Sequence, residues 1–137
     1  MQRNILIVED QRLPLKALEL AVKRTMPGEQ YDVARCYSDA EQQIARNSYS
    51  LVLLDHRMPR DMVCTEEEDF DRFSESLENI GYGLIPAIRA RNPAATVVGT
   101  SSLGEQELAG FPQPDYCMGK TFGQAAKELE AILQKIR

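Results

Sequence analysis

The sequence predicts an α/β fold with a five-stranded parallel sheet and helices on both of its faces. Short apolar runs at residues 5–8, 51–54, 96–99 and 116–119 are typical of strands that are buried on both faces of such a sheet. Residues 31–35 give a weaker signal for a further strand, the second along the chain. Because crossovers between parallel strands are right-handed, the simplest strand order is 2-1-3-4-5, which is flavodoxin-like.

Apolar residues spaced three or four positions apart predict helices between these strands. The first helix ends at the Met-Pro-Gly of residues 26–28, and a second short helix runs through Arg46. Met58 and Pro59 are expected to break the chain after the third strand, and a short, polar fourth helix is expected around residues 105–109. The core-facing residues of the first, third and last helices are expected to be Leu15, Leu18, Ala21, Val22, Leu84, Ile85, Ile88, Ala125, Leu129, Ile132, Leu133 and Ile136.

The composition indicates one domain, which we place at residues 1–137. Of its 137 residues 43% are hydrophobic, and no apolar stretch approaches the roughly 20 residues that a membrane-spanning helix needs. The first strand begins too close to the N-terminus to leave room for a signal peptide. Cys36, Cys64 and Cys117 lack metal-site spacing and favour reduced thiols, so we expect a cytoplasmic protein. A net charge of −5 without a basic tract argues against direct nucleic-acid binding.

The negative charge is concentrated in residues 61–80, called the acidic segment below. It contains eight acidic residues and one basic residue, Arg72, so the rest of the chain is slightly positive. Thr65 and Glu68 fit a capping box, and we predict an extra amphipathic helix over residues 66–80. The residues that would lie on its apolar face are Phe70, Phe73, Leu77 and Ile80. Such a helix could decorate the domain, dock a basic partner or cover the end of the third strand.

Side chains with chemistry stand directly after four of the predicted strands. Glu9 and Asp10 follow the first strand, Asp55 the third, Thr100 the fourth and Lys120 the fifth. Parallel strands point the same way, so these ends share one edge of the sheet, where open α/β sheets bind their ligands. A single acid at such a place is often only a helix cap, but the joint placement favours a functional crevice.

The charges expected at this edge predict a particular chemistry. Neighbouring carboxylates repel one another unless a cation lies between them, and hard oxygen ligands of this kind suit Mg²⁺. Lys120 would add an ammonium and Thr100 a hydroxyl. Together these groups would accommodate a phosphoryl group on Asp55, the central carboxylate of the set.

Five segments, in this order, resemble the receiver domains of two-component response regulators. They are Ile-Leu-Ile-Val-Glu-Asp (residues 5–10), Leu-Val-Leu-Leu-Asp-His-Arg-Met-Pro (51–59), Gly-Tyr-Gly-Leu-Ile-Pro-Ala-Ile-Arg (81–89), Val-Val-Gly-Thr-Ser (97–101) and Met-Gly-Lys (118–120). The resemblance spans the chain except for the acidic segment, and the ordered set is more specific than any one segment. It implies a receiver fold and a role in bacterial phosphorelay signalling.

The resemblance also implies a role for each site residue. Asp55 would accept a phosphoryl group from the phosphohistidine of a histidine kinase or a histidine phosphotransfer protein. Asp10, Asp55 and the backbone carbonyl of Arg57 would hold Mg²⁺ or Mn²⁺, with Glu9 acting mainly through water. Such a domain is a phosphoacceptor and not an enzyme, apart from catalysing its own phosphorylation and dephosphorylation.

The output of such a domain is likewise implied by the resemblance. Thr100 and Lys120 would bind the phosphoryl oxygens and draw the loop after the fourth strand inward. That movement would switch the face of the fourth and fifth strands, which controls a downstream effector or an output domain. Relatives often dimerise beside this face, but the short, polar fourth helix leads us to expect at most a weak homodimer.

The chain departs from the family pattern outside the acidic segment as well. Thr121 follows Lys120 where relatives carry a cis-proline, so we expect a trans peptide there. The position of the family's switch aromatic holds Cys117, which we expect to be a buried, inert thiol, with Tyr116 on the opposite face of the strand. Arg57 could pair with the acidic segment, shield the phosphate or lie at a solvated rim.

The leading interpretation is a phosphoacceptor signalling module, and the alternative is a receiver-like protein-binding module that acts without phosphorylation. An aspartate-based phosphohydrolase is disfavoured because Arg57 stands where such enzymes carry a second aspartate. The last predicted helix ends at Arg137, which fits either a stand-alone receiver or one part of a longer chain. Deleting the acidic segment is expected to leave a folded domain with altered phosphorylation or partner choice.

Overall fold

The computed structural model describes residues 4–136, so the outermost positions of the predicted domain, residues 1–3 and 137, lie outside the described part. Within it, no helix is both long enough and apolar enough to cross a bilayer. In chain order the elements are β1 (Ile5–Val8), α1 (Arg12–Thr25), β2 (Tyr31–Ala34), α2 (Tyr37–Arg46), β3 (Leu51–Leu54), β4 (Arg57–Pro59), α3 (Phe70–Glu75), β5 (Leu77–Asn79), a 3-10 turn (Gly81–Leu84), α4 (Ile85–Arg91), β6 (Thr96–Gly99), α5 (Glu105–Leu108), β7 (Tyr116–Cys117) and α6 (Gln124–Ile136).

The main sheet has five parallel strands in the order β2-β1-β3-β6-β7, which confirms the predicted fold class and strand order. Val8 is in register with Leu54, and Leu54 is in register with Gly99. Two further hydrogen bonds continue the ladders past the strand ends, from Asp55 N to Val8 O (3.2 Å) and from Thr100 N to Leu54 O (2.9 Å). The three central strands therefore end at one level, and the residues that follow them meet at one edge.

The hydrophobic core consists of two layers, one on each face of the sheet. Alternate residues of β1, for example Leu6 and Ile7, point into different layers because side chains alternate along a strand. One layer packs beneath α2 and α4, and the other packs beneath α1 and α6. All four residues of β1 and all four of β3 are buried, as expected for central strands that are covered on both sides.

The acidic segment does not form the predicted helix over residues 66–80. Helix α3 spans only Phe70–Glu75, and its first turn is capped by the Asp69 side chain, which accepts a hydrogen bond from the Arg72 amide (3.1 Å). Residues Leu77–Asn79 instead form β5, which pairs antiparallel with β4, where the sequence was expected only to break. The capping box is half present, since Glu68 accepts the Thr65 amide (2.8 Å), but it closes a turn. As a strand, residues 77–79 pair through their backbone with β4. A helix over the same residues would lose this pairing.

The two phenylalanines of the acidic segment have opposite environments. Phe73 is 1% exposed and belongs to the buried core, whereas Phe70 is 65% exposed. A six-residue helix has too little surface to bury both, so the predicted apolar face is only partly used. The segment thus supplies a buried side chain and a paired strand, which is at odds with the expectation that residues 61–80 can be deleted cleanly.

The fifth strand of the main sheet differs from its prediction in length and in one side chain. Only Tyr116 and Cys117 pair with β6, although the apolar run extends to residue 119. Cys117 is exposed, so the expectation of a buried thiol is wrong, while Tyr116 packs against the core layer beneath α1 and α6. A two-residue edge strand leaves its outward side chain without a cover. No cis peptide is found among residues 4–136, so the bond between Lys120 and Thr121 is trans, as expected.

Replacing Phe73 by alanine is expected to lower the free energy of unfolding by about 3–5 kcal/mol, because it empties a fully buried aromatic site. Phe70→Ala in the same helix is the matched control, and it should change stability by no more than about 0.5 kcal/mol. Urea unfolding followed by circular dichroism measures both. Equal effects of the two substitutions would contradict the burial assigned to Phe73.

Candidate functional site

Three carboxyl side chains meet at the edge where β1 and β3 end. Glu9 and Asp10 follow β1, Asp55 follows β3, and the three residues are 0%, 2% and 5% exposed, respectively. One oxygen from each lies within 4.8 Å of one from each of the others. The equal register of the two strands produces this approach, so the structure brings together the three acids that the sequence predicts.

Lys120, in the loop after β7, is the cation of the site. Its Nζ lies 2.6 Å from Glu9 Oε1 and 3.0 Å from Asp55 Oδ2, and its side chain is 18% exposed. The remaining oxygens of these two acids are also bound, since the Gln11 amide donates to Glu9 Oε2 (3.0 Å) and the His56 amide donates to Asp55 Oδ1 (2.8 Å). Glu9 is therefore an anchor for Lys120 in this state, a direct contact that the sequence did not predict.

Asp10 differs from the other two acids, because neither of its carboxylate oxygens accepts a hydrogen bond from any residue in 4–136. The nearest arginine, Arg35 at the end of β2, donates to the backbone carbonyl of Asp10 (2.8 Å) and leaves the carboxylate alone. A buried carboxylate without donors is energetically unfavourable unless a proton or a cation neutralises it. Asp10 thus marks the point of the site where positive charge is missing.

The pKa values of the site follow from burial and from the neighbouring charges. Burial, followed by the charges of Glu9 and Asp55, raises the pKa of Asp10 to about 8. Burial and the charge of Glu9 raise the pKa of Asp55 to about 6, although Lys120 and the His56 amide act in the opposite direction. Burial alone would lower the pKa of Lys120, but the carboxylates of Asp55 and Glu9 outweigh it and raise the pKa, so the amine stays charged.

This donor set fits a hard divalent cation. It offers three carboxylates in one cluster against one ammonium, and both oxygens of Asp10 are free to act as ligands. Mg²⁺ and Mn²⁺ favour such oxygen ligands and need only a few from the protein, keeping water in other positions. A divalent ion would supply the positive charge that the carboxyl cluster lacks.

Thr100 follows β6 at the predicted edge, and its hydroxyl is buried. The residue is 1% exposed, and its Oγ1 makes no hydrogen bond to any described residue. A small cavity of ≈ 130 Å³ adjoins the acceptor; it is lined by Gln11, Asp55, Arg57, Leu77, Ser101, Ser102, Leu103 and Lys120. Thr100 is absent from this lining. The Thr100 hydroxyl is therefore a buried polar group at this edge without a partner among the described residues.

Arg57 lies on the wall of this cavity as the first residue of β4, with its side chain exposed. Within residues 4–136 it forms no ion pair with the acidic segment; Arg60 makes that contact instead, with Glu78 at 3.8 Å. His56, the only histidine of the chain, is fully buried and packs against Tyr82 and Phe111. Burial lowers the pKa of His56.

The acidic segment contacts the cavity wall at one place and the start of α1 at another. Leu77, from β5, forms part of the cavity wall beside Asp55. Glu66 accepts the Arg12 amide at the start of α1 (2.6 Å), and Glu67 binds the Arg12 guanidinium (3.0 Å). Free amides at a helix N-terminus favour a carboxylate partner. Much of the negative charge is therefore engaged within the domain.

Several residues of the site were missed by the sequence predictions. Arg35 stands at a strand end and could have been found by the rule that located Asp55. Leu77 was assigned to a helix, and its place beside the acceptor depends on the β4–β5 pairing, which has no apolar signal in the sequence. Gly81, the residue after that predicted helix, lies so close to the acceptor that a Cβ there would overlap the carbonyl oxygen of Asp55.

The fold is similar to that of solved receiver domains. A CheY-like response regulator receiver domain from Methylobacillus flagellatus is 22% identical, with a TM-score of 0.66 and full coverage of both chains. The response regulator TrrA from Thermotoga maritima, solved in complex with Mg²⁺-BeF, is 20% identical, with a TM-score of 0.63 and full coverage of both chains. A response regulator receiver protein from Sinorhizobium medicae is 18% identical, with a TM-score of 0.69, over 98% of this chain and 94% of that one.

Comparison with protein-family models and with curated protein sequences gives no match. The structural likenesses cover nearly the whole chain and establish a CheY-like receiver fold, as the ordered sequence segments predicted. The acids that the structure gathers at the strand edge stand where the resemblance places the acceptor and the metal ligands.

Asp10→Asn is expected to stabilise the metal-free fold by several kcal/mol at pH 8, and less as the pH falls. The folded-state pKa is about 8 against an ordinary value of 3.8, so between these values the folded state binds more protons than the unfolded state. The free energy of unfolding of the unsubstituted chain therefore falls as the pH rises, by about 1.4 kcal/mol for each unit of pKa shift.

Urea unfolding from pH 4 to pH 8 in a chelator measures this effect, with the exposed Glu105→Gln as the control. Added Mg²⁺ should stabilise the unsubstituted chain at pH 8 and have little effect on Asp10→Asn. Parallel pH profiles of the two chains without metal would show that Asp10 is not the strained acid of the site.

Gly81→Ala is expected to destabilise the fold by about 1–3 kcal/mol, because the new Cβ meets the backbone of Asp55. Gly83→Ala, in the same 3-10 turn, is the matched control, since a Cβ there has no atom within 4 Å, and its effect should stay within about 0.5 kcal/mol. Thermal unfolding of the two variants side by side gives the comparison. A tolerated alanine at residue 81 would disprove the close approach of this turn to Asp55.

Proposed function

We propose that this chain is a response-regulator receiver that takes up a phosphoryl group on Asp55 with the help of Mg²⁺ or Mn²⁺. The observation that carries the proposal is the arrangement of Asp55 between Lys120 and two further buried acids, at the strand edge of a receiver fold. Similar folds include a receiver described as BeF3-activated and one in complex with Mg²⁺-BeF, which supports phosphoryl chemistry at this edge.

The metal would be held by Asp10, Asp55 and the backbone carbonyl of Arg57, with Glu9 near enough to contribute directly or through water. When bound, it would offset the charge of the carboxyl cluster and of an incoming phosphoryl group. The free oxygens of Asp10 support this assignment, because no described residue donates to them.

Asp55 is suited to act as the nucleophile. With a pKa of about 6 it is ionised at neutral pH, and its two oxygens are oriented by Lys120 and by the His56 amide. A carboxylate oxygen would form a bond to phosphorus while the bond from phosphorus to the donor's leaving group breaks. The leaving group keeps the electron pair of that bond, and an imidazole donor then takes up a proton from solvent.

Lys120 and Thr100 would bind the phosphoryl oxygens after transfer. Lys120 is already within 3.0 Å of Asp55, so a phosphoryl group would compete with Glu9 for its ammonium. Thr100 offers a buried hydroxyl without a partner among the described residues, which would gain one by moving toward the new group. The chain would then act as a self-modifying switch in signalling, without turning over a separate substrate.

The physiological donor would be the phosphohistidine of a kinase or a phosphotransfer protein, and the recipient of the signal an effector or an output domain. The acidic segment would influence donor access, since Leu77 lies at the cavity wall and Glu66 is bound at the start of α1. Loss of the Arg12–Glu67 ion pair would release the acidic segment from the start of α1, at one side of the donor's path to Asp55.

The test is phosphorylation by acetyl phosphate with Mg²⁺, followed by intact mass. We expect one added phosphoryl group on the unsubstituted chain and on Asp71→Asn, an exposed aspartate matched to the acceptor in chemistry. Asp55→Asn should show none, because the nucleophile is missing. The unsubstituted chain in a chelator should also show none, because the cation is missing. Beryllofluoride should shift the amide resonances of Asp55, Thr100 and Lys120 in the same pattern of variants.

Absence of both the adduct and the shifts, in a chain shown to be folded, would overturn the phosphoacceptor proposal. That outcome would favour the alternative, a protein-binding module with a receiver fold that works without phosphate. An adduct that persists in Asp55→Asn would instead assign the acceptor to another side chain.

A further inference from the structure

The loop between β7 and α6 carries Lys120, and its sequence alone does not hold it in one conformation. Residues 118–123 are Met-Gly-Lys-Thr-Phe-Gly, without a proline that would fix a backbone angle. Gly119 and Gly123 add backbone freedom, and Gly123 has a positive φ of 83°. The direction of the Lys120 ammonium therefore depends on contacts that tie this loop to the rest of the domain.

Hydrogen bonds hold the backbone of this loop on both sides of Lys120. The Met118 amide donates to the last carbonyl of β6 (2.9 Å) and so continues that ladder by one residue. The Thr121 carbonyl oxygen accepts an amide from the first turn of α6 (3.0 Å). The amide of Gly119, directly before Lys120, is bound by a side chain instead of by the backbone.

Glu128, in the second turn of α6, supplies that side chain. Its Oε2 accepts the hydrogen bond from the Gly119 amide. A Cβ on Gly119 would lie 3.4 Å from Oε2 and 3.9 Å from Oε1, so the carboxylate lies close against this residue. The next residue, Leu129, is fully buried in the core, which fixes the helix that carries Glu128. Within residues 4–136 Glu128 forms no ion pair, so the loop amide is not competing with a cationic side chain.

The ammonium that this loop presents has a narrowly defined place. Nζ of Lys120 lies 2.6 Å from Glu9 Oε1 and 3.0 Å from Asp55 Oδ2, and the side chain is 18% exposed. A lysine stem is flexible, so a mobile backbone beneath it would lower the fraction of time for which the ammonium contacts both carboxylates. An amide bound by a carboxylate is held more strongly than one bound by a neutral acceptor. Glu128 is therefore well suited to fix the residue before Lys120.

We propose that Glu128 is a positioning residue: by binding the Gly119 amide it holds the loop so that the Lys120 ammonium reaches Asp55 and a phosphoryl group attached to it. Glu128 is not part of the cavity lining beside Asp55, so it acts through the backbone and not by contact with the phosphoryl group. The inference rests on the proposed phosphoacceptor function and deepens it by naming the residue that orients the cation of the site.

The test compares Glu128→Ala, Glu128→Gln and Glu130→Ala with the unsubstituted full chain, using beryllofluoride with Mg²⁺ as the probe. Glutamine keeps an oxygen that can accept the Gly119 amide. Glu130 is the matched control, because it is also partly exposed on α6 and its Oε1 accepts from Gln134 of the same helix (3.3 Å). Loss of one hydrogen bond in Glu128→Ala should raise the half-saturation concentration about fivefold. Glu128→Gln and Glu130→Ala should leave it nearly unchanged.

A second measurement reports the place of Lys120 without any probe of the phosphoryl site. Acetic anhydride acetylates accessible amines, and peptide mass spectrometry gives the rate for each lysine. An ammonium held between two carboxylates should react slowly, and Lys120 should react about fivefold faster in Glu128→Ala alone. Lys135, near the other end of α6, is the internal reference. A purely structural role of Glu128 would lower the stability to urea without changing the rate of Lys120 relative to that of Lys135.

The outcomes distinguish the two proposals. Weaker probe binding together with faster labelling of Lys120, both confined to Glu128→Ala, supports the positioning role. If the unsubstituted chain binds beryllofluoride and Glu128→Ala leaves either readout unchanged, the positioning role is overturned and the phosphoacceptor role stands. A glutamine variant that behaves like alanine also overturns it, because the effect would then belong to the negative charge. If the unsubstituted chain does not respond to beryllofluoride, the phosphoacceptor role fails, and the positioning of a phosphoryl-binding cation fails with it.

Discussion

The structure depends on placing three carboxyl groups at the buried end of two neighbouring strands. Because β1 and β3 pair in register, they end at the same level. Glu9, Asp10 and Asp55 therefore lie together where water is largely excluded. Mutual repulsion and lost hydration then have to be offset, and the surroundings do this unequally. Lys120 and two backbone amides bind the carboxylates of Glu9 and Asp55. Asp10 has no such partner among the described residues, so its charge has to be neutralised by a proton or an added cation. The affinity of the site for positive charge is thus a direct result of strand pairing.

The sheet could be predicted from the sequence because four of its five strands lie in continuous apolar runs, which are typical of strands covered on both faces. Strand order and the shared edge follow from right-handed crossovers. The β4–β5 hairpin could not be predicted in the same way. Its strands have three residues each, including Pro59 and charged side chains, and the phenylalanine spacing that suggested a long helix serves one buried contact at Phe73.

The positions of the site residues could be predicted from the sequence, whereas the contacts between these residues were harder to predict. Asp10, Asp55, Thr100 and Lys120 each follow a strand, and chain direction alone brings them to one edge. The pairing of Lys120 with Glu9 and the inward burial of the Thr100 hydroxyl depend on how loops pack, which local pattern does not encode. Tyr82 is the clearest case: in the sequence it is one aromatic beside two glycines, and its reach to β6 emerges only from the fold.

The β4–β5 pairing also bears on how this domain can diversify. Residues 60–76 leave and rejoin the body through two adjacent paired strands, so their ends stay close whatever lies between them. The entropy of closing such a loop grows only slowly with its length. The outer part of the segment, including the exposed Val63, can accordingly vary in sequence or accept a grafted peptide or reporter, provided that Phe73 keeps its buried place and Glu66 and Glu67 keep their contacts with Arg12. Because of the hairpin, changes in this segment can alter which partners the domain binds while the carboxyl cluster beside it stays the same.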